Sequence, residues 1–381
     1  MGNMPDHELL ISLRKELHKF PELSGNEEMT SRRITRFLEK LRPDEIINNI
    51  GGNGLAARFR GSSAGPRVMI RAELDALPIH ELNDFEHISS VPGVSHKCGH
   101  DGHMAIVAGV AGQFAAERPG RGELIVLFQP SEENGKGAYA VVNDPGFVSL
   151  RPDFVLALHN LPGFELNEII LRDGVFAMAS VGMIIDLKGK TSHAAQPEKG
   201  ISPSIAVSRL INELPLMAKG DDFSHFTLVT IIHVRIGEIA FGTSPGNGVV
   251  MATLRAYDNV EMESLISMAE AIARKIALEE NLEISVSWTE KFPATVNDKF
   301  LNNMIGRIGK ESGFKVSYIE DAFKWSEDFG WLTSEYRGLL FGIGAGKGHP
   351  ELHHPDYDFP DRVLDAGVSI LSSACRELFK L

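Results

Sequence analysis

The sequence predicts an α/β protein in which a mostly parallel sheet, covered by helices on both faces, is interrupted by an inserted ferredoxin-like α+β unit. Three observations carry this. Short, mainly apolar runs recur at residues 55–59, 68–70, 124–128, 154–158 and 339–343, the pattern of strands buried on both sides. Stretches with helical spacing separate several of them, most plainly 101–117, where Ala, Val and Ile alternate. From about 178 to 290 the order changes to β-α-β-β-α-β, and strand–helix rhythm resumes after Pro293. At 381 residues the chain exceeds one ordinary core. Residues 1–177 and 291–381 are therefore assigned to one domain and 178–290 to an insertion.

The elements follow in order. Leu10, Leu13 and Leu17 share one helical stripe and Phe37, Leu38 and Leu41 another, so two helices open the chain. The apolar runs and the 101–117 helix come next. Inside the insertion the pattern predicts a strand over 179–188, a helix over 201–218 and strands over 226–236 and 248–257. A helix over 260–281 and a strand over 282–288 complete it. The last stretch, around Cys375, is helical.

Composition excludes several function classes. The chain is 43% apolar and 23% charged, with a net charge of −13 and acids and bases mixed throughout. A nucleic-acid or anionic-membrane surface would need a basic stripe, and none is present, so a small-molecule partner is expected. No uncharged apolar run approaches the roughly 18 residues that span a bilayer. Residues 1–6 carry no apolar leader, and Asp6 stands where a myristoylation signal needs Ser or Thr. The two cysteines, Cys98 and Cys375, fit a reducing cytoplasm. Pairing them would consume the thiol of the richest ligand cluster, so no disulfide is expected.

That cluster is His96-Lys97-Cys98-Gly99-His100-Asp101-Gly102-His103, which joins a thiol, three imidazoles and a carboxylate with glycines that let the backbone turn. Such donors suit zinc or another late first-row ion. A polar turn rich in His by chance is the competing reading, but similar groups recur. Glu73 and Asp75 follow the 68–70 run and Glu132 and Glu133 follow 124–128. His159 closes 154–158, and His353 and His354 come shortly after 339–343. Ligands of open α/β sheets collect beyond the carboxyl ends of strands, where all of these fall. Glu132 and Glu133, being adjacent, point in different directions, so one can bind metal while the other faces substrate. A carboxylate beside an acidified water can take its proton and pass it to a leaving amine.

The ordered motifs Arg71-Ala72-Glu73-Leu74-Asp75-Ala76-Leu77-Pro78, Cys98-Gly99-His100-Asp101-Gly102-His103, Phe128-Gln129-Pro130-Ser131-Glu132-Glu133, Gly189-Lys190-Thr191-Ser192-His193-Ala194-Ala195-Gln196-Pro197 and Leu352-His353-His354-Pro355 resemble those of the metal-dependent amidohydrolases. This is the branch of the aminoacylase and carboxypeptidase metallopeptidases that holds hippurate hydrolases and auxin–amino-acid conjugate hydrolases. The resemblance spans nearly the whole chain. It implies a catalytic domain with two divalent ions (Zn, Mn, Co or Ni) and an inserted lid domain that usually pairs subunits into a homodimer. The implied metal ligands are Cys98, as bridge, with His100, Glu133, His159 and His353. Glu132 matches the general base, and His193 and Arg255 match lid residues that meet the substrate. Asp75 is expected to orient the site, and Ser326-Glu327-Asp328-Phe329 matches a further motif of less defined role. The implied reaction is hydrolysis of the amide bond of N-acyl amino acids. A dipeptide-cutting exopeptidase would share the chemistry, and a catalytically silent homologue would keep an ion. Five offered ligands with an additional carboxylate favour catalysis over a closed four-ligand structural site.

Some features depart from the pattern. Glu73 stands where Asp is usual, Lys97 where a small residue is usual, and Glu198 where His is frequent. Phe241-Gly242-Thr243-Ser244-Pro245 replaces a segment that usually carries Asn. His353 and His354 are not separable by sequence, and the first is chosen by its position in the motif. Gly61-Ser62-Ser63-Ala64-Gly65 mimics a nucleophile elbow but leads to another strand, and the glycines of 342–348 mimic a phosphate loop without the following Ser or Thr. His7, His18, His80, His87, His225, His233 and His349 are expected in surface or packing roles, and His96 and His103 beside the ligands.

Overall fold

Alternate residues of the strands nearest the site are buried equally, which requires cover on both faces of the sheet. Val68 and Ile70 point to one side and Met69 to the other, yet all are fully buried, as are Leu124, Val126 and Phe128 against Ile125 and Leu127. The computed structural model describes residues 7–220 and 222–381. The reading of residues 1–6 as free of a leader or lipid signal lies outside the described residues.

The chain divides into two compact units. The first runs to Phe176 and resumes over Thr295–Asp321 and Asp328–Leu381. Its sheet has eight strands in the order Glu45–Ile50, Gly54–Arg60, Glu123–Gln129, Arg67–Glu73, Phe154–Pro162, Arg337–Gly346, Ile169–Leu171 and Val316–Tyr318. The four strands from Glu123–Gln129 to Arg337–Gly346 are mutually parallel, and antiparallel pairs flank them. One face packs against helices His7–Lys19, Glu28–Leu41, His100–Ala116, Lys299–Glu311 and Leu364–Leu378 in a single apolar cluster. Short helices Gly137–Val142 and Gly330–Glu335 lie on the other side. Helix His100–Ala116 is buried almost all round, as its apolar circumference demands. Two glycines allow it to start where it does. Gly99 has φ +91°, and a Cβ there would come within 2.5 Å of the Asn160 amide; at Gly102 a Cβ would meet the Phe359 ring at 2.3 Å.

The second unit comprises Ala177–Ala294 with Ala322–Glu327. Its strands and helices alternate as β-α-β-β-α-β, and its sheet order is Thr227–Ile236, Asn247–Ala256, Ala179–Lys188, Glu283–Phe292, antiparallel throughout. Helices Ser204–Met217 and Asn259–Glu279 pack together, the second capped by the Asp258 carboxylate accepting the Glu261 N–H at 2.9 Å. Leu228, Ile232 and Ile236 of the edge strand are exposed, as are Ile239 and Phe241 beyond it. Among the described residues no helix is long and apolar enough to cross a membrane.

One histidine departs from its expected role. His18, assigned by sequence to an ordinary surface or packing position, is fully buried between two carboxylates, with Nδ1 at 2.9 Å from Asp101 and Nε2 at 2.9 Å from Glu81. Arg14, one turn earlier, is equally buried against Asp101, Asp358 and Asp361. Burial alone would lower the His18 pKa, but the two carboxylates outweigh it and raise it to about 9. The folded value lies above the ordinary 6.5, so the stabilisation is complete below about pH 6.5 and is lost as pH rises through about 9, on the order of 3 kcal/mol in all. Melting of the metal-free protein across that window should show a falling Tm that flattens in His18→Gln. Equal slopes in the two proteins would refute the assignment.

Candidate metal centre

The four parallel strands end on one edge of the first unit, and the chemistry-bearing residues gather there. Arg67–Glu73 delivers Asp75, Glu123–Gln129 delivers Glu132 and Glu133, and Arg337–Gly346 leads to His353. The strand Phe154–Pro162 runs further than the apolar run suggested, so His159 lies inside it rather than after it. His100 opens the buried helix just beyond Cys98.

Their donor atoms form overlapping sets. Those of Cys98, His100 and His159 lie within 4.8 Å of one another, as do those of Cys98, Glu133 and His353. A further set joins His100 to Glu132 and Glu133. Cys98 Sγ is 3.5 Å from His159 Nε2, and His353 Nε2 is 3.9 Å from Glu133 Oε2. His353, not His354, is the member of the pair in these sets.

The rings are oriented from behind. His100 Nδ1 donates to the Asp75 carbonyl at 2.9 Å and His159 Nδ1 to the Asn160 carbonyl at 2.9 Å, which leaves each Nε2 facing the cluster. His100 Nε2 is buried without a hydrogen-bond partner. A thiol, three imidazoles and a carboxylate converging around such an atom fit a divalent metal site. Burial pushes His159 down to about 3, and partial burial of a half-exposed ring with the nearby His100 charge also lowers His353, so both favour the neutral form that ligates. Burial would lower His100 too, but Glu73, Glu133 and Asp75 raise it to about 9.

The backbone of the Glu132–Glu133 turn is clamped by two carboxylates. Asp75, fully buried, accepts the N–H groups of Glu132 and Glu133 at 3.1 and 3.0 Å and the Ser24 hydroxyl at 2.6 Å. Glu27, also fully buried, accepts the Ser131 N–H at 2.8 Å and its hydroxyl at 3.1 Å. Ser131 has φ +55°, a left-handed conformation that costs energy for a side chain and is held by these bonds. Three successive amides are thereby fixed, and, contrary to the divergence expected of neighbouring residues, an oxygen of each glutamate lies near His100 Nε2, at 3.9 Å for Glu132 and 3.8 Å for Glu133. Sequence reading missed Glu27, which sits in an ordinary polar stretch.

Deeper support comes from Arg71, which pairs with Glu73 and with Asp328 at 2.6 Å. Asp328 also accepts Gln129 Nε2 and the Ala138 N–H, each at 2.8 Å, giving the Ser326–Phe329 motif a bracing role. Glu73 receives His103 Nδ1 at 2.7 Å; burial would raise its pKa, but Arg71 and His103 hold it well below the usual range. His96 is buried with neither ring nitrogen partnered, and burial pushes it down to about 3.

The remaining candidates belong to the second unit. Arg255 donates to the Ser326 hydroxyl at 3.1 Å and the Lys324 carbonyl at 3.0 Å. His193 is exposed, on the two-residue strand Ser192–His193 that pairs with Thr243–Ser244 of the departing segment. Its Nδ1 accepts the Ala195 N–H at 3.1 Å.

Comparison with known proteins gives these residues a context. An N-acetyldiaminopimelate deacetylase of Exiguobacterium sibiricum is 28% identical over 97% of this chain and 99% of its own. An N-acetyl-L-cysteine deacetylase of Bacillus subtilis is 28% identical over 97% of this chain and 88% of its own. A solved dinuclear metal binding peptidase from the M20 family, also of Bacillus subtilis, superposes with a TM-score of 0.83 at 25% identity over 98% of both chains. The model of peptidase family M20/M25/M40 matches residues 69–377, so the chain belongs to that family and is an amide-bond hydrolase.

Proposed function

We propose that this chain is a dimetal-dependent hydrolase of N-acyl amino acids, with Cys98, His100, Glu133, His159 and His353 as ligands and Glu132 as general base. The observation that carries the reading is the pair of donor sets sharing Cys98, with Glu132 alongside. Cys98 belongs to both sets and would contribute its thiol to either ion, and the donors suit zinc, manganese, cobalt or nickel. The deacetylase relatives, whose names specify N-acetyl amino acids, support the substrate class.

When bound, two such ions supply Lewis-acid polarisation of the scissile carbonyl and acidify a nearby water. Glu132 accepts a proton from the attacking water and returns it to the amine as the carbon–nitrogen bond breaks. Asp75 and Glu27 keep its backbone in register, so little reorganisation is needed when the proton moves. His193 donates to the oxyanion and Arg255 takes the substrate carboxylate, residues 178–290 serving as lid and as the surface of a homodimer. Residues 1–177 and 291–381 form the catalytic domain, and the two buried thiols, Cys98 and Cys375, suit the cytoplasm.

Metal-reconstituted protein, assayed against acetyl, benzoyl, succinyl and indole-acetyl amino acids and against dipeptides, tests the reading. Metal-dependent release of the amino acid from at least one acyl class is expected. Cleavage of dipeptides alone would replace the substrate class, and no metal dependence would overturn the mechanism. For His193, mixing inactive His193→Ala with inactive Glu132→Gln protein should restore part of the activity through hybrid dimers. No recovery in verified hybrids would exclude a role in the neighbouring subunit.

A further inference from the structure

Lys97 immediately precedes the Cys98 ligand and has a fully buried side chain. Burying an ammonium is costly unless every proton finds an acceptor. Here all three do: Nζ donates to the Glu81 carboxylate, to Asn83 Oδ1 at 2.7 Å and to the Tyr357 carbonyl at 2.7 Å. At the other end of the same residue, the Lys97 carbonyl accepts the His353 N–H at 2.8 Å. One residue thus grips the 353–357 segment twice.

That segment needs gripping. His353 has φ +67°, and its side chain is 51% exposed, so packing does little to hold the ring in place. Asn160 Nδ2 donates to the Tyr357 hydroxyl, and two further bonds come from the residues beside Glu81. The Leu82 N–H reaches the Pro355 carbonyl at 3.0 Å, and Asn83 Nδ2 reaches the Asp356 carbonyl at 2.8 Å. Glu81 is itself anchored by His18 and by the Ser89 N–H at 2.7 Å, so the strap is tied to the buried network around Asp101.

We infer that Lys97 is a positioning residue for His353, and that it sets the affinity of one of the two metal positions, the one offered by Cys98, Glu133 and His353, while leaving the other nearly untouched. This rests on the dimetal reading above. Sign separates positioning from simple electrostatics. Removing a positive charge near a cation site should tighten metal binding if charge alone matters. Removing a support of a ligand should loosen it, by about 10- to 100-fold.

The experiment is a metal titration, by chelator competition with total metal counted, on wild type, Lys97→Met, His353→Ala and Asn83→Ala. Wild type should hold two ions. Lys97→Met should hold one at wild-type affinity and lose the other about 10- to 100-fold more readily, the same ion that His353→Ala loses. Asn83→Ala, which keeps the ammonium but removes one of its three acceptors and the bond to the Asp356 carbonyl, should show a smaller loosening of that ion. Two ions at wild-type or tighter affinity in Lys97→Met overturn the inference, as does equal loosening of both. Should Lys97→Met fail to fold, Asn83→Ala decides, and wild-type binding there overturns it. A wild-type chain that holds only one ion sinks the dimetal reading, and this inference with it.

Discussion

Glu132→Gln should lower turnover by roughly 100-fold or more while leaving metal content unchanged. Glutamine keeps the shape of the side chain and the backbone N–H that Asp75 holds at 3.1 Å, so the turn should keep its form. What it cannot do is accept a proton at neutral pH. Glu133, one residue on, shares its donor sets with both Cys98 and His353, whereas Glu132 joins only the set with His100 and Glu133 among those described. Glu133→Gln should accordingly weaken metal binding. Metal analysis and steady-state kinetics on the two variants decide the matter: loss of metal in Glu132→Gln, with retention in Glu133→Gln, would exchange their roles.

Removing a ligand should have a comparably large effect on both metal and rate. Cys98→Ser and His159→Ala each leave the remaining donors around an incomplete shell. The loss should exceed the roughly 10- to 100-fold that follows from losing an outer partner of a ligand. Cys98 is shared by two donor sets, so its replacement should weaken both ions, whereas His159→Ala should weaken chiefly one. His159 is held neutral by burial and oriented by its bond to the Asn160 carbonyl, so its substitution removes a ring already set for binding. Elemental analysis after dialysis tests this. Full metal content with wild-type rate in either variant would remove that residue from the site.

Much of the fold and of the metal centre is legible in the amino-acid sequence, for physical reasons that differ between elements. The central strands announce themselves because both faces are buried, and Glu123–Gln129 has no room for a polar residue in its middle. The edge strand Glu45–Ile50 does not, since Asn48 and Asn49 face water on a strand with one free side. Cys98, His100 and His353 stand out because their residue types are rare and chemically specific. Glu27 and Lys97 do not, because a glutamate or lysine gains such a role only through what the fold brings to it. The Ser131 amide lies 104 residues from Glu27, and Tyr357 lies 260 from Lys97. His18 escapes sequence reading for the same reason, its partners Glu81 and Asp101 lying 63 and 83 residues away.

The strand Arg337–Gly346 sits inside its sheet, between Phe154–Pro162 and Ile169–Leu171, although it is the last strand in the chain. On the ribosome this orders events. The nascent chain completes Ala177–Ala294 as a contiguous stretch, while the sheet of the larger unit still has a gap at its middle. Pairing across that gap joins residues such as Phe154 and Arg337, a separation that makes closure slow. Until His353 emerges, the set of Cys98, Glu133 and His353 is incomplete, and a partly made chain offers its thiol and imidazoles to the cell without the closed sheet that would organise them. Loading is therefore a late step of biogenesis, and a chain truncated before that last strand should neither close its sheet nor retain metal.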